Sequence, residues 1–240
     1  MASGRGARPS LALTLVGAGM LLAVGYPLAA ARAVEAFGPR AVGAALLALG
    51  LVGVVLSRRR SIPGFGLWLR VLAVGLPGLA LLAGDARFLA LVPAAIQAVL
   101  CGLFLGSLRG GSSILAQAAR TLEPYAPDFI DPYCRKATLA FAALFALQSV
   151  ALATLGVAAP GPGWALRASF LIWVPTLVAA AIEFLVRKAW FRNYSETPWD
   201  RVLRVLFPPE NTAQGRRSLD WIRRKRAELG LPPPGFGRRD

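Results

Sequence analysis

Six long apolar runs, set off from one another by arginines, prolines and glycines, leave this 240-residue chain one class of fold. A bilayer core about 30 Å thick takes about 20 apolar residues at 1.5 Å rise per residue. Runs of that kind occupy residues 11–31, 41–57, 65–84, 88–108, 137–159 and 164–186. In lipid every backbone N–H and C=O must be satisfied within the protein, which turns such runs into helices. The composition agrees, with 56% hydrophobic residues, only 16% charged and a mean hydropathy of +0.55. The expected fold is therefore all-α: a polytopic membrane protein of six transmembrane helices. The third run is the weakest span, because Arg70 must reach the interface along its alkyl stem and Pro77 falls mid-helix.

Orientation follows from the positive charges. With both termini on one face, that face carries 23 of the 27 lysines and arginines and the other only four, Arg32, Arg40, Arg87 and Arg167. Basic residues are retained on the cytoplasmic side, so both termini are expected there. Removing the third span would send Arg5 and Arg8 to the outside, which argues for keeping it. The first run also resembles a secretory signal ending in Ala31-Arg32-Ala33, but it exceeds the about 7 to 15 apolar residues of such a signal and is read as a span. The domain reading is a six-span membrane domain over 1–188, including a cytoplasmic insert at 109–136, and a basic cytoplasmic tail over 189–240.

Small residues recur every four positions through the fourth run, at Ala86, Ala90, Ala94, Ala98, Gly102, Gly106 and Gly110. Such a stripe lets another helix approach closely, and packing within the chain is its expected use.

The insert is the longest polar interruption. Ser112 or Ser113 can cap a helix with Ile114, Leu115, Ala118 and Leu122 on one face, lying at the membrane surface. Prolines 124, 127 and 132 then stiffen a loop carrying three acids, Glu123, Asp128 and Asp131, and three aromatics, Tyr125, Phe129 and Tyr133. Arg120, Glu123, Asp128, Asp131, Tyr133 and Arg135 form a candidate docking loop. The segment from Arg187 onward holds 13 basic and 6 acidic residues. Within it LDWIRRKRAEL (219–229) can form a basic helix with Leu219, Ile222, Arg226 and Leu229 roughly aligned and Trp221 as an interface anchor. Its Arg223, Arg224, Lys225 and Arg226 are candidate contacts for anionic lipid, or for an acidic partner such as an acyl carrier protein or synthase subunits. Nothing beyond charge points to nucleic acid, which is not expected as a partner.

The order GSL, a short helix, EPYAP, YCRKAT (133–138) before an apolar run, and EFLVRK (183–188) closing the last one resembles a family of uncharacterised bacterial inner-membrane proteins. Its members are typically encoded beside fatty-acid-synthase-like genes for aryl polyene pigments or related lipids. The resemblance covers the membrane domain and not the tail, and it implies a location and a link to lipid or polyene biosynthesis. It brings no catalytic residue. Gln148 stands where the family often has asparagine, and Arg167 and Ala168 where it has a tyrosine-asparagine pair.

Chemistry-bearing residues are sparse. Histidine is absent, which removes the commonest general base and the commonest zinc and haem ligand. Cys101 and Cys134 form no disulfide framework. Asp128 and Asp131 have the spacing of a carboxylate pair, but no second acidic motif accompanies them, so no metal or cofactor is expected. Glu183 is the one carboxylate inside an apolar run and a candidate intramembrane acid. Arg187 lies four residues on, the order in which a helical ion pair forms. These readings leave three functions open: an accessory or scaffold factor for lipid or polyene biosynthesis at the cytoplasmic leaflet, a small transporter or flippase for a lipidic product, or a membrane-embedded lipid-modifying enzyme. The absence of a catalytic constellation favours a non-enzymatic role.

Overall fold

The computed structural model describes residues 11–57, 65–122, 126–158, 163–192, 194 and 198–230. Among these residues the chain is helical, without strands: α1 (Leu11–Ser57), α2 (Phe65–Ala83), α3 (Arg87–Ala90), α4 (Val92–Ser107), α5 (Ile114–Leu122), α6 (Asp131–Ala158), α7 (Trp164–Phe191), α8 (Pro198–Leu206) and α9 (Ala213–Glu228). Short 3-10 turns sit at Asp128–Ile130 and Pro209–Asn211. Four stretches of the described residues are long and apolar enough to cross a membrane, Gly25–Val55, Arg87–Ser107, Asp128–Ala158 and Trp164–Phe191, with a shorter apolar helix at Val71–Ala83. The expected runs 11–31 and 41–57 lie on the two sides of a break in α1 at Gly38 (φ 78°, ψ 162°). Only glycine adopts that conformation without steric cost, and the next residue, Pro39, has no N–H to continue the helix. The turn expected at 61–64 and most of the one at 160–163 lie outside the described residues, as does the side chain of Arg70.

The chain divides into two compact units, Met1–Leu100 with Phe145–Pro175, and Cys101–Leu144 with Thr176–Asp240. The first unit is organised by its prolines. A proline at position i leaves the carbonyl at i−4 without its helical donor, and in an apolar surrounding that carbonyl needs another partner. Pro175 frees Leu171, and the Gln148 side-chain amide of α6 donates to the Leu171 and Ile172 carbonyls at 3.0 and 3.1 Å. Pro93 frees Leu89, whose carbonyl accepts the Tyr26 hydroxyl of α1 at 3.2 Å. Pro77 frees Ala73, and α1 passes so close that a Cβ on Gly50 would lie 2.3 Å from the Ala73 oxygen. At Pro175 and Pro93 the freed carbonyl thus receives a side-chain donor from a neighbouring helix.

Packing fills the space between these polar ties. Ala90 and Ala94 pack with Leu152 of α6 and with Trp164, Ala165, Ala168 and Ile172 of α7. Gly156 lets α6 come close to α3, since a Cβ there would sit 3.1 Å from the Ala90 oxygen. Ser149 adds a hydrogen bond to the Ala94 carbonyl at 2.8 Å. A second cluster joins Val42, Ala80 and Leu89. The small-residue stripe therefore serves packing within the chain at Ala90 and Ala94. At Gly102 and Gly106 nothing lies within 4 Å of where a Cβ would be.

The pairing of Gln148 with a proline-freed carbonyl can be measured. Gln148→Leu should lower the unfolding free energy of the detergent-solubilised protein by about 1 to 2 kcal/mol, because a buried acceptor loses its donor. In a Pro175→Ala background residue 175 supplies that donor itself, and the same substitution should cost at most about 0.5 kcal/mol. Chemical unfolding of the four proteins reads the difference; equal losses in both backgrounds would show that Gln148 does not serve the kink.

Candidate functional site

The chemistry-bearing residues gather in the second unit, where the insert, the end of α7 and the tail helices meet. Ser113 caps α5 by accepting from the Ala116 N–H at 3.4 Å. The buried face of α5 is Ala116 and Ala119, packed on Ala126, Ile130, Cys134 and Phe191. Of the expected apolar face, Leu115 packs against the same cluster, Ile114 is half-buried and Ala118 is exposed, and the side chain of Leu122 lies outside the described residues. Arg120 turns back over the acids, donating to both oxygens of Asp131 at 2.7 and 2.8 Å, to Asp128 at 3.3 Å and to Ser112 at 3.1 Å. The hydrogen bond to Asp131 holds the guanidinium still more firmly in its charged form. The spaced carboxylates are thus occupied by an arginine, and no group of metal-binding side chains occurs among the described residues.

The remaining docking-loop candidates separate. Arg135 donates to the Leu108 carbonyl at 2.9 Å, closing the loop after α4. Tyr133 donates to the Glu183 carbonyl at 3.3 Å and meets Phe191 edge-on, with ring centroids 5.4 Å apart. Glu123 lies outside the described residues. Glu183 accepts from Arg187 Nε at 3.0 Å, with side-chain exposures of 14% and 9%, so the candidate intramembrane acid is held in a nearly buried ion pair.

The end of α7 anchors the tail. Lys188 forms a 2.8 Å ion pair with Asp200 of α8, and both side chains are almost wholly buried, at 3% and 4% exposure. The Lys188 amine also lies over the Phe184 and Tyr194 rings at 5.8 and 5.7 Å. Arg192 ends α7 with a positive φ of 50° and donates to the Ala189 carbonyl at 3.2 Å and to the Pro208 carbonyl. Tyr194 donates to Phe207 at 2.8 Å, and burial pushes its phenol up to about 12, which keeps it a donor at any physiological pH. Charge and hydrogen bonding thus hold α8 to the last turn of α7.

Helix α9 is mounted just as firmly. Thr212 caps it by accepting from the Gly215 N–H at 3.1 Å. Gly215 lies against the Pro209 carbonyl so closely that a Cβ would sit 2.2 Å from the oxygen. Ser218 donates to the Phe191 carbonyl at 2.6 Å, and Leu219 and Ile222 are buried beside it. Trp221 does not project toward lipid as expected; it meets Phe129 of the insert edge-on at 6.4 Å, and Arg217 lies 4.4 Å from the same Phe129 ring centroid. Insert and tail therefore share a surface, a junction that sequence separation conceals. The opposite face of α9 carries Arg216, Arg217, Asp220, Arg223 and Arg224 around an open depression of about 590 Å³. Arg223 and Arg224 belong to the expected contact set. Lys225 instead reaches Glu228 at 2.9 Å, which raises its ammonium pKa, and Arg226 is half-buried.

Comparison with family models, with curated proteins and with solved structures finds no match.

The buried ion pair sets a test of tail anchoring. Lys188→Met should strand the Asp200 carboxylate and cost about 3 to 5 kcal/mol, whereas Lys188→Met with Asp200→Leu should recover most of it. Hydrogen exchange of the α8 amides reads both variants: exchange should rise steeply in the single variant and return toward wild type in the double.

Proposed function

We propose that this chain is an integral protein of a bacterial inner membrane, with six spans and both termini cytoplasmic, that serves lipid or polyene biosynthesis as an accessory factor. In this reading the α9 arginine face receives an acidic soluble partner, an acyl carrier protein or a synthase subunit, at the cytoplasmic leaflet. The observation that carries it is the mounting of α9: one face is locked to Phe191 and the insert, while the other holds four arginines and one aspartate around an open depression. A basic face held in fixed geometry favours docking of a complementary acidic surface and raises the rate of encounter.

Six spans are supported by the break at Gly38, which gives the chain a place to turn between runs 11–31 and 41–57. Support also comes from α2, whose 19 residues reach about 28 Å. The charge division of 23 to 4 supports cytoplasmic termini.

A second reading, a transporter or flippase for a lipidic product, is favoured by one feature. The two arms of α1 line an apolar cleft of about 410 Å³, with Tyr26, Ala30, Ala33 and Phe37 on one arm and Val42 and Leu46 on the other. The enzyme reading has less support, because Arg120 occupies the paired carboxylates.

Docking is tested by affinity purification of the full-length protein from detergent-solubilised membranes. Arg223→Glu with Arg224→Glu should abolish recovery of an acidic carrier or synthase subunit, while Lys225→Gln, away from the depression, should leave it within about twofold. Full recovery with the double reversal would rule out this face as the docking site.

A further inference from the structure

Helix α8 has two faces with opposite surroundings. Asp200 is buried against Lys188, and Leu203 and Phe207 give their carbonyls to Tyr194. On the far side of the same helix Val202, Val205 and Leu206 stand out at 54%, 78% and 64% exposure. Their spacing of three and four residues places them on one stripe, roughly opposite Asp200. Arg201 borders that stripe and is exposed, and Arg204 follows it toward Glu210 at 3.5 Å. A nine-residue helix with an apolar outer stripe and an arginine border has the form of a helix that lies in a membrane interface.

The level of α8 is set by its anchor. Lys188 belongs to the last turn of α7, a stretch long and apolar enough to cross a membrane, and its 2.8 Å ion pair holds α8 beside that turn. The same end of α7 carries an outward apolar surface in Leu185, Val186 and Trp190, exposed at 51%, 43% and 67%. Tryptophan is enriched where hydrocarbon meets headgroups. The apolar stripe of α8 is thus tied to the place where the lipid-facing surface of α7 ends, and the basic border beside it complements anionic headgroups.

We propose that α8 is an interfacial helix that beds Val202, Val205 and Leu206 among the acyl chains of the leaflet at the C-terminal end of α7, with Arg201 and Arg204 at the level of anionic headgroups. The occupant of the stripe is lipid, not a protein. The proposal rests on α7 spanning the membrane and is independent of any docking at α9. It also makes α8 a lipid-binding part of the basic tail, whereas Leu219 and Ile222 of α9 are already buried.

The test uses the full-length protein in nanodiscs of phosphatidylcholine with phosphatidylglycerol, carrying an environment-sensitive fluorescent amino acid at position 205. Nitroxide-labelled lipids should quench it strongly, and aqueous iodide should quench it several-fold less than the same probe at position 223. Val202→Asp with Leu206→Asp, both at exposed positions, should reverse the two quenchers while α7 and α9 keep their hydrogen-exchange protection. Two results overturn the proposal: iodide access at position 205 equal to that at position 223, or iodide protection without lipid quenching and with cross-linking between copies.

Discussion

A helix in hydrocarbon cannot leave a carbonyl unpaired, and Pro77, Pro93 and Pro175 each remove the helical donor from one. Two of these acceptors are met by a side chain from another helix, Gln148 for Leu171 and the Tyr26 hydroxyl for Leu89, while at Ala73 the missing side chain of Gly50 lets the α1 backbone come close. Water cannot substitute in such surroundings, so the helix neighbours are specified by backbone chemistry as much as by packing. Small residues then allow the approach that the hydrogen bonds require. Gly50, Gly156, Ala90 and Ala94 all lie at crossings where a larger side chain would hold the backbones apart.

The second unit solves a different problem, which is how to hold a strongly basic chain end in one arrangement. Its answer is to neutralise the charges at the end of α7 and in the insert and to project others. Arg187 is paired with Glu183, Lys188 with Asp200 and Arg120 with the two insert aspartates. Arg216, Arg217, Arg223 and Arg224 are left around the outer depression of α9. Phe129 joins the two halves of this surface, because the insert presents its ring to both Arg217 and Trp221. A charged surface built this way has a fixed shape.

Much of this was legible before any coordinates. Apolar runs bounded by charge placed α2 and α4 to within a few residues, because length and hydropathy are properties of the chain alone; α6 instead begins at Asp131, so that Asp131, Tyr133 and Arg135 of the expected loop are helical, and α7 continues past 186 to Phe191. The Glu183 and Arg187 pair was readable from its spacing of four, and the pairing of the insert acids with a nearby arginine was readable from charge balance. The orientation of α5 was not, since the choice between Ala116 and Ala118 depends on what stands opposite. Nor was the role of the tail helix apparent: LDWIRRKRAEL looks like a basic surface helix until Leu219, Ile222 and Trp221 are seen turned inward.

What the sequence determined by itself was the class of solvent each segment meets, because transfer into lipid is a sum over residues. It also determined which carbonyls lose their helical donor, since a proline acts on its own backbone, and it located Glu183 beside its arginine. What only the tertiary structure decided was the partner of every group separated far along the chain: Gln148 with the Leu171 carbonyl, Lys188 with Asp200, Phe129 with Arg217. Those pairings are set by which helices come to lie side by side. Contact over long sequence separation is not encoded in composition or periodicity, so a proline announces an unpaired carbonyl but not the side chain that will meet it.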